Sequence, residues 1–173
     1  MDDHAASARI AGGAFLSAPL FSMRSPASVV IRRRHASDEA FIADLGREAF
    51  TEYSPSASGQ TAHMASTADT LVAERDGEPI GLVIVDVRGE HAHLAAIAVR
   101  TDFRGVGIGR SLLAAAEASA RARGAREMGL VTAEANLAAS ELFLRNGYRR
   151  RRRHARYYAR GQPAIEMWKP LVP

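Results

Sequence analysis

The chain has no cysteine among its 173 residues. Disulfide bonds, thiolate metal sites and a covalent intermediate on a cysteine are therefore excluded. We also expect the protein to bind no metal ion.

Long apolar runs are missing as well. The segment 10–21 is mildly apolar, but it is too short and too broken to span a bilayer. The acidic start of the chain is not typical of a signal peptide. We therefore expect a soluble cytoplasmic protein with no membrane partner.

Length and composition predict one folded domain. Hydrophobic residues make up 47% of the chain, which is enough for one sizeable core, and 173 residues are too few for two ordinary domains. Residues 1–27 are rich in alanine, serine and glycine and show no sustained periodicity. We expect them to be a disordered extension ahead of a single domain over 28–173, with Met23 as an alternative start of the protein.

The most informative segment is the glycine-rich loop Arg104–Arg110. It follows an apolar stretch, 94–99, that has the composition of a buried strand, and it precedes apolar residues at helical spacing from Leu112 onward. Alternate glycines let the backbone come close to a ligand, beside the positive end of the following helix. The loop therefore predicts a site for a phosphate or pyrophosphate group, with an arginine at each end.

Two common phosphate-binding loops do not fit this segment. A dinucleotide-binding fingerprint needs glycine where Arg110 stands, and a P-loop needs lysine before its serine or threonine, where this chain has Arg110-Ser111. Taken alone, the glycines could also serve only a tight turn between strand and helix.

A second motif makes the interpretation of the loop more specific. It consists of Asn136, a short helical pattern and the pair Gly147-Tyr148. The two motifs, in this order and at this separation, resemble the GNAT family of N-acetyltransferases, which use acetyl-coenzyme A (acetyl-CoA). The resemblance covers residues 28–170, and the loop matches the family's pattern at Phe103, Arg104, Gly107 and Gly109.

The end of the chain resembles one subgroup more loosely. Arg156-Tyr157-Tyr158, followed by 164–167, is similar to the closing strands of the ribosomal-protein N-terminal acetyltransferases. The fold implied is α/β (α+β), the GNAT fold, with a mixed central sheet of six to seven strands flanked by about four helices. The local patterns predict strands over 29–34, 70–75, 80–87, 91–99 and 127–132 and two more near the end, helices over 38–50, from the loop to 123 and over 137–146, and a short helix within 54–67.

The resemblance implies a binding mode for acetyl-CoA as cosubstrate. The backbone of Ile97, Ala98 and Val99 would pair with the pantetheine arm, and the Val99 N–H would polarise the acetyl carbonyl. Asn136 would hydrogen-bond the cofactor arm, cap the next helix, or do both. The pyrophosphate would be held by Arg104, Gly105, Val106, Gly107, Ile108, Gly109 and Arg110.

The general base is missing from its commonest place in the family, because Ala95 stands where many relatives carry glutamate. His93 shares the parity of Ala95 along a regular strand and titrates near neutrality, so it is one candidate base. Glu134, in the turn just before Asn136, is the other.

The general acid is also missing from its usual position. The tyrosine that many relatives place beside the departing sulfur falls on Phe143, which has no proton to donate but still lies at the cofactor. Tyr148 is the substitute that we carry forward, with Tyr157 and Tyr158 as alternatives, and the thiolate could also leave unprotonated. Two other residues, His63 and Glu52, lie in the region that shapes the acceptor pocket in this family.

An arginine run, 149–153, has no acidic residue within it. It forms either a solvated edge or part of an acceptor groove that favours an anionic substrate, and it has no interleaved aromatics that would favour nucleic acid. We expect direct acetyl transfer to a primary amine, either a protein N-terminus or a small molecule. A non-catalytic sensor of acyl-CoA is the alternative, and a homodimer is left open.

Overall fold

A computed structural model describes residues 28–171, which form seven strands and four α-helices. The strands are β1 (Val29–Arg33), β2 (Asp69–Arg75), β3 (Glu78–Arg88), β4 (His91–Val99), β5 (Glu127–Ala133), β6 (Arg149–His154) and β7 (Ala164–Pro170). The helices are α1 (Glu39–Phe50), α2 (Ala57–Thr67), α3 (Ile108–Ala122) and α4 (Leu137–Arg145). The predicted mixed sheet with about four helices is confirmed.

All seven strands belong to one sheet, in the order β1-β2-β3-β4-β5-β7-β6. Neighbouring strands are antiparallel except β4 and β5, which run parallel. These two central strands pair only from His91 opposite Glu127 to Leu94 opposite Leu130. Beyond Leu94, β4 continues beside β3 and β5 continues beside β7, so a gap opens in the middle of the sheet.

A β-bulge marks the point where the gap begins. Val85 lies opposite Leu94 whereas Ile84 lies opposite Ala96, so Ala95 is the extra residue on β4. Leu94 packs into the core beneath α3, and Ala96 packs into the core beneath α1. The bulge therefore reverses which face of the sheet the even-numbered residues of β4 occupy.

The helices cover the two faces of the sheet unequally. The apolar stripe of α3 is buried against one face, and α1 with α2 buries a smaller cluster over β2, β3 and β4 on the other face. Most of the α1 side of β5, β7 and β6 is only partly buried or exposed. The two cores centre on Leu112, Leu113, Met128 and Met167 beneath α3, and on Ile42, Leu45, Leu82 and Ile84 beneath α1.

The predicted helix over 38–50 begins one residue late, because Asp38 closes a 3₁₀ turn. Its buried carboxylate accepts hydrogen bonds from Arg32 Nη1 at 2.7 Å and from the His35 N–H at 2.7 Å.

The segment 54–67 contains α2, as predicted, whereas the expectations for residues 1–27 lie outside the described residues. No helix within 28–171 is long and apolar enough to cross a membrane.

Candidate active site

The glycine-rich loop forms one wall of a groove of about 510 Å³ at the N-terminus of α3. Gly105 and Gly107 have left-handed backbones, with φ of 79° and 90°, and Gly107 is the N-cap of α3. A side chain with a Cβ rarely adopts this conformation, so glycine is needed for the turn. The same turn directs the free N–H groups at the start of α3 into the groove.

The space beside these glycines suits a phosphate group. A Cβ built on Gly105 or Gly107 meets no protein atom within 4 Å, so neither glycine is required by packing. The open space leaves room for a ligand to approach the bare backbone closely. The cradle therefore fits the pyrophosphate of coenzyme A.

The groove brings together most of the residues that the sequence assigned to the cofactor. Its lining includes Ile97, Ala98, Val99, Arg104, Gly105, Gly107, Ile108, Gly109, Arg110 and Asn136. Val106 is not in the lining and its side chain is 71% exposed. Any contact from Val106 to a phosphate would have to come from its backbone.

The free edge of β4 points into the gap. The Arg100 N–H donates to the Ile80 carbonyl on β3, so the backbone groups of Ile97 and Val99, at odd positions, point away from β3. They face the side from which β5 has diverged. An extended ligand arm lying in the gap could pair with the N–H groups of both residues and with the carbonyl of Ile97.

Arg104 lines the cofactor groove, and its guanidinium also has partners within the protein. Its Nε donates to the Val99 carbonyl at 2.8 Å, and its Nη2 lies 3.7 Å from Glu48 Oε1. Glu48 also accepts a hydrogen bond from Thr101 Oγ1 at 2.6 Å, and this bond lowers the pKa of the Glu48 carboxyl. Sequence reasoning missed Glu48, because its partners lie far along the chain.

A second cavity, of about 230 Å³, lies on the α1 side of the gap. It shares Phe50 and Ile97 with the cofactor groove, so the two spaces meet where β4 and β5 part. We call it the acceptor cavity. Its other lining residues are Tyr53, Ser54, Ala57, Gln60, Thr61, Met64, His93, Leu94, Ala95, Ala96, Leu130, Val131, Phe143, Tyr157 and Tyr158.

His93 is the candidate base that the structure places in the acceptor cavity. It precedes the bulge and lies on the same face of β4 as Ala95, which packs beneath α1. Part of the imidazole is exposed, but desolvation by the surrounding protein lowers the pKa of His93, and nearby Asp86 only partly opposes this shift. The ring is therefore neutral, and able to accept a proton, at neutral pH.

Glu134 is held elsewhere. Its carboxylate accepts two hydrogen bonds from Arg153, at 2.8 and 2.7 Å, and it does not line the acceptor cavity. The bond to Arg153 lowers the pKa of Glu134, so the carboxylate is a weaker base than an ordinary glutamate. This geometry does not support Glu134 as the general base.

Tyr148 is a core residue rather than a site residue. It is 2% exposed, and its hydroxyl donates to Met128 Sδ at 3.0 Å. Burial raises the pKa of Tyr148 far above its ordinary value. The left-handed Gly147 turns the chain so that Tyr148 enters the core beneath α3, and we therefore withdraw it as a proton donor.

Asn136 and Phe143 link the two spaces from the side of α4. Asn136 caps α4, because its Oδ1 accepts from the Ala139 N–H at 3.1 Å, and it also lines the cofactor groove. Phe143 is 2% exposed and lines the acceptor cavity, with Tyr148 packed edge-on against its ring. The sequence predicts Phe143 as a cofactor-binding residue, but its ring lines the acceptor cavity and is not part of the lining of the cofactor groove.

Three tyrosines surround the acceptor cavity. The ring of Tyr158 lies 4.9 Å from that of Tyr53 and 5.0 Å from that of Tyr157. Burial raises the pKa of Tyr158 to about 12, so its hydroxyl remains protonated. His63 and Glu52 do not line the cavity. The residues next to them along the chain, Met64 and Tyr53, line it instead.

Comparison with known proteins agrees with the motifs. The model of the acetyltransferase (GNAT) family matches residues 34–148, which is more than half of the chain. An N-acetyltransferase of Methanocaldococcus jannaschii, itself uncharacterized, is 28% identical over 142 residues, which are 82% of this chain and 91% of the relative.

Solved structures share the fold. The ribosomal-protein-S18-alanine N-acetyltransferase of Escherichia coli has a TM-score of 0.74 at 22% identity, and the match covers 84% of this chain and 96% of that one. The YncA protein of Salmonella typhimurium, solved with its cofactor acetyl-CoA, has a TM-score of 0.75 at 18% identity, with 84% and 95% covered. The chain therefore belongs to the GNAT family of acetyltransferases, and it is an acyltransferase that uses acetyl-CoA.

Proposed function

We propose that this enzyme acetylates the α-amine at the N-terminus of a peptide or protein, with His93 as general base. The observation that carries the proposal is the meeting of two spaces at the gap between β4 and β5. The groove on one side has the phosphate cradle, and the cavity on the other side has His93 and the tyrosines. A donor and an acceptor that entered from opposite sides would meet beside Ile97.

On the donor side, acetyl-CoA supplies the activated acetyl thioester. The loop amides and the start of α3 hold the pyrophosphate, and the edge of β4 holds the arm that leads into the gap. The Val99 N–H, which points into the gap, donates a hydrogen bond to the acetyl oxygen as negative charge develops there. Asn136 contributes its amide from the facing helix.

On the acceptor side, the amine nitrogen attacks the carbonyl carbon. A new C–N bond forms, the C–S bond breaks, and the amine gives up a proton to His93, directly or through one water. An N-terminal amine has a pKa of about 7.7–8.0, so a sizeable fraction is already neutral near pH 7.5. The base therefore has to remove only the proton released on attack.

Among residues 28–171, we assign no dedicated acid beside the departing thiolate. Phe143 occupies the usual position, and a thiol has a pKa of about 8.5, so the thiolate is a tolerable leaving group and takes its proton from water. Tyr158 can donate a hydrogen bond but not readily a proton, because burial raises its pKa to about 12. We assign no residue to the role of general acid.

The lining of the acceptor cavity favours an α-amine over a polycationic small molecule. No aspartate or glutamate is among its described lining residues, whereas a polyamine or an aminoglycoside would need several anionic partners. One ammonium group can instead lie against tyrosine faces. The side chain of a first residue fits a cavity of about 230 Å³, and the rest of a peptide can leave along the partly exposed side of the sheet.

Release of free coenzyme A tests the proposal. Wild type and His93→Ala are compared on peptide amides, single amino acid amides, polyamines and aminoglycosides. We expect release that depends on a peptide α-amine and a fall of about 10²- to 10⁴-fold in kcat for the variant, with unchanged coenzyme A affinity. Tight acetyl-CoA binding without release on any amine would favour the sensor alternative.

A further inference from the structure

A row of residues crosses the sheet on its α1 side, next to the acceptor cavity. His93 on β4 lies opposite Gly129 on β5, Gly129 lies opposite Trp168 on β7, and Trp168 lies opposite Arg149 on β6. Residues directly opposite each other have their side chains on the same face. His93 is the end of the row that also lines the acceptor cavity.

Gly129 leaves a notch in this row, between an imidazole and an indole. The imidazole side of the notch belongs to a shallow space of about 500 Å³, which is lined by Asp86, Arg88, His91, Ala92, His93, Glu127 and Gly129. A Cβ built on Gly129 meets only the Met167 carbonyl oxygen, at 3.8 Å, which is ordinary contact. Packing therefore does not require glycine at this interior strand position, where glycine costs stability.

The carboxylates on this face already have partners. Asp86 pairs with Arg88 at 2.8 Å, and Glu127 lies 2.8 Å from His91 Nδ1. Glu166 lies 3.1 Å from His154 Nε2 and 3.9 Å from Arg151 Nε. Each of these carboxylates thus has a polar partner on the face itself, and for Asp86 and Glu166 the partners include an arginine.

Two arginines on the same face form no ion pair within residues 28–171. They are Arg149, opposite Trp168, and Arg152, opposite Glu166, and both are exposed. Arg150 and Arg153 lie opposite Met167 and Ile165, on the α3 side of the sheet. Alternation along β6, shifted by a bulge at Arg151, therefore divides the run of five arginines between the two faces, with Arg149 and Arg152 as positive charge at the end of the row.

We infer that this row is a second acceptor subsite, which binds the residues that follow the acetylated amine and prefers acidic ones. The inference rests on the proposed function. With the first residue in the acceptor cavity, the chain would pass His93 and fill the notch over Gly129 beside Trp168. Acidic side chains would then reach Arg149 and Arg152, by complementarity of charge.

Charge reversal tests the subsite. Peptides that share one first residue carry acidic or basic residues at the next three positions, and the amide of the first residue alone is the short control. For Arg149→Glu with Arg152→Glu, we expect kcat/KM to fall about tenfold on the acidic peptide and to rise on the basic one. The amide should be unaffected, and Arg150→Glu, a matched change on the opposite face, should leave the peptide preference unchanged.

Filling the notch is an independent test. Gly129→Val should lower kcat/KM on the acidic peptide about tenfold, leave the amide unaffected, and maintain or raise the melting temperature. Equal use of acidic and basic peptides by the wild type, or equal effects of the Arg150 and the Arg149/Arg152 variants, would overturn the inference.

Binding separates this inference from the proposed function. Anisotropy of peptides labelled at the C-terminus, with coenzyme A bound to the enzyme, reports the subsite without turnover. No release of coenzyme A on any amine would refute the proposed function. A preference for the acidic peptide in binding, lost in the double arginine variant, would still support the subsite, and its absence would refute it.

Discussion

Substitution of Gly107 by valine should abolish the phosphate cradle without unfolding the protein. Gly107 has φ of 90° and lines the cofactor groove, and no atom lies within 4 Å of a Cβ built on it, so a new side chain would occupy open space at the groove. A residue with a Cβ pays about 1–2 kcal/mol in the left-handed conformation. For a domain of this size, that free energy corresponds to a drop of about 2–8 °C in melting temperature.

The effect on binding should be much larger than the effect on folding. The valine side chain would exclude the pyrophosphate from one or two backbone N–H groups, and each charge-assisted hydrogen bond contributes about 1.5–3 kcal/mol. The Kd for coenzyme A, measured by calorimetry, should therefore rise by at least about tenfold. Binding of acetyl-pantetheine, which lacks the pyrophosphate, should change little.

Gly124→Val is the matched control. Gly124 lies just beyond the other end of α3, has φ of 91°, and also has no atom within 4 Å of a built Cβ. The two variants should lose similar amounts of thermal stability, because the backbone penalty is the same. Equal coenzyme A affinity in the two variants would refute the assignment of the cradle.

Three further predictions concern single residues. Because burial lowers the pKa of His93, kcat/KM should fall below pH 6.5 as this imidazole gains a proton. His93→Gln should remove this fall but keep the separate dependence on the acceptor amine near pH 8. A fall below pH 6.5 that persists in the variant would exclude His93 as the base. Phe143→Tyr should preserve or raise kcat, since it restores a proton donor near the leaving thiolate, and a loss of more than about tenfold would show that the ring is needed for packing. Hydrogen bonding to Arg32 lowers the pKa of Asp38, so this carboxylate stabilises the fold above its unfolded pKa of about 3.9 and loses that contribution as pH falls. Asp38→Asn should cost about 2–4 kcal/mol in urea unfolding at pH 7 and less at pH 3, and an equal cost at both pH values would contradict the assignment.

The elements that hold the cofactor groove could be predicted because local patterns determine them. The left-handed φ at Gly105 and Gly107 requires glycine at both positions, so the alternate glycines indicate the turn. The apolar stripe from Leu112 onward indicates α3. Asn136 predicts the start of α4, because its side-chain oxygen can accept a hydrogen bond from a free N–H in the first turn of the helix. These features depend on residues that are close together in the chain.

The acceptor side depends on tertiary structure and was predicted only in part. No residue of Leu94-Ala95-Ala96 predicts the bulge. The rule that alternate residues share a face, which was applied to His93, therefore holds only up to Ala95. Strict alternation likewise misplaces the later arginines of β6, because the bulge at Arg151 shifts them. Tyr148 was interpreted as a site residue, although the turn at Gly147 directs it into the core.

The position of the transferred acetyl group distinguishes an enzyme that acts on an α-amine from one that acts on a lysine side chain. A peptide with a free α-amine and an internal lysine is incubated with acetyl-CoA and the enzyme, and the product is sequenced by tandem mass spectrometry. We expect acetyl on the α-nitrogen alone, at a rate that falls sharply in His93→Ala. Acetyl on the lysine nitrogen alone, or no acetylated peptide despite tight acetyl-CoA binding, would contradict the proposed acetylation of an α-amine.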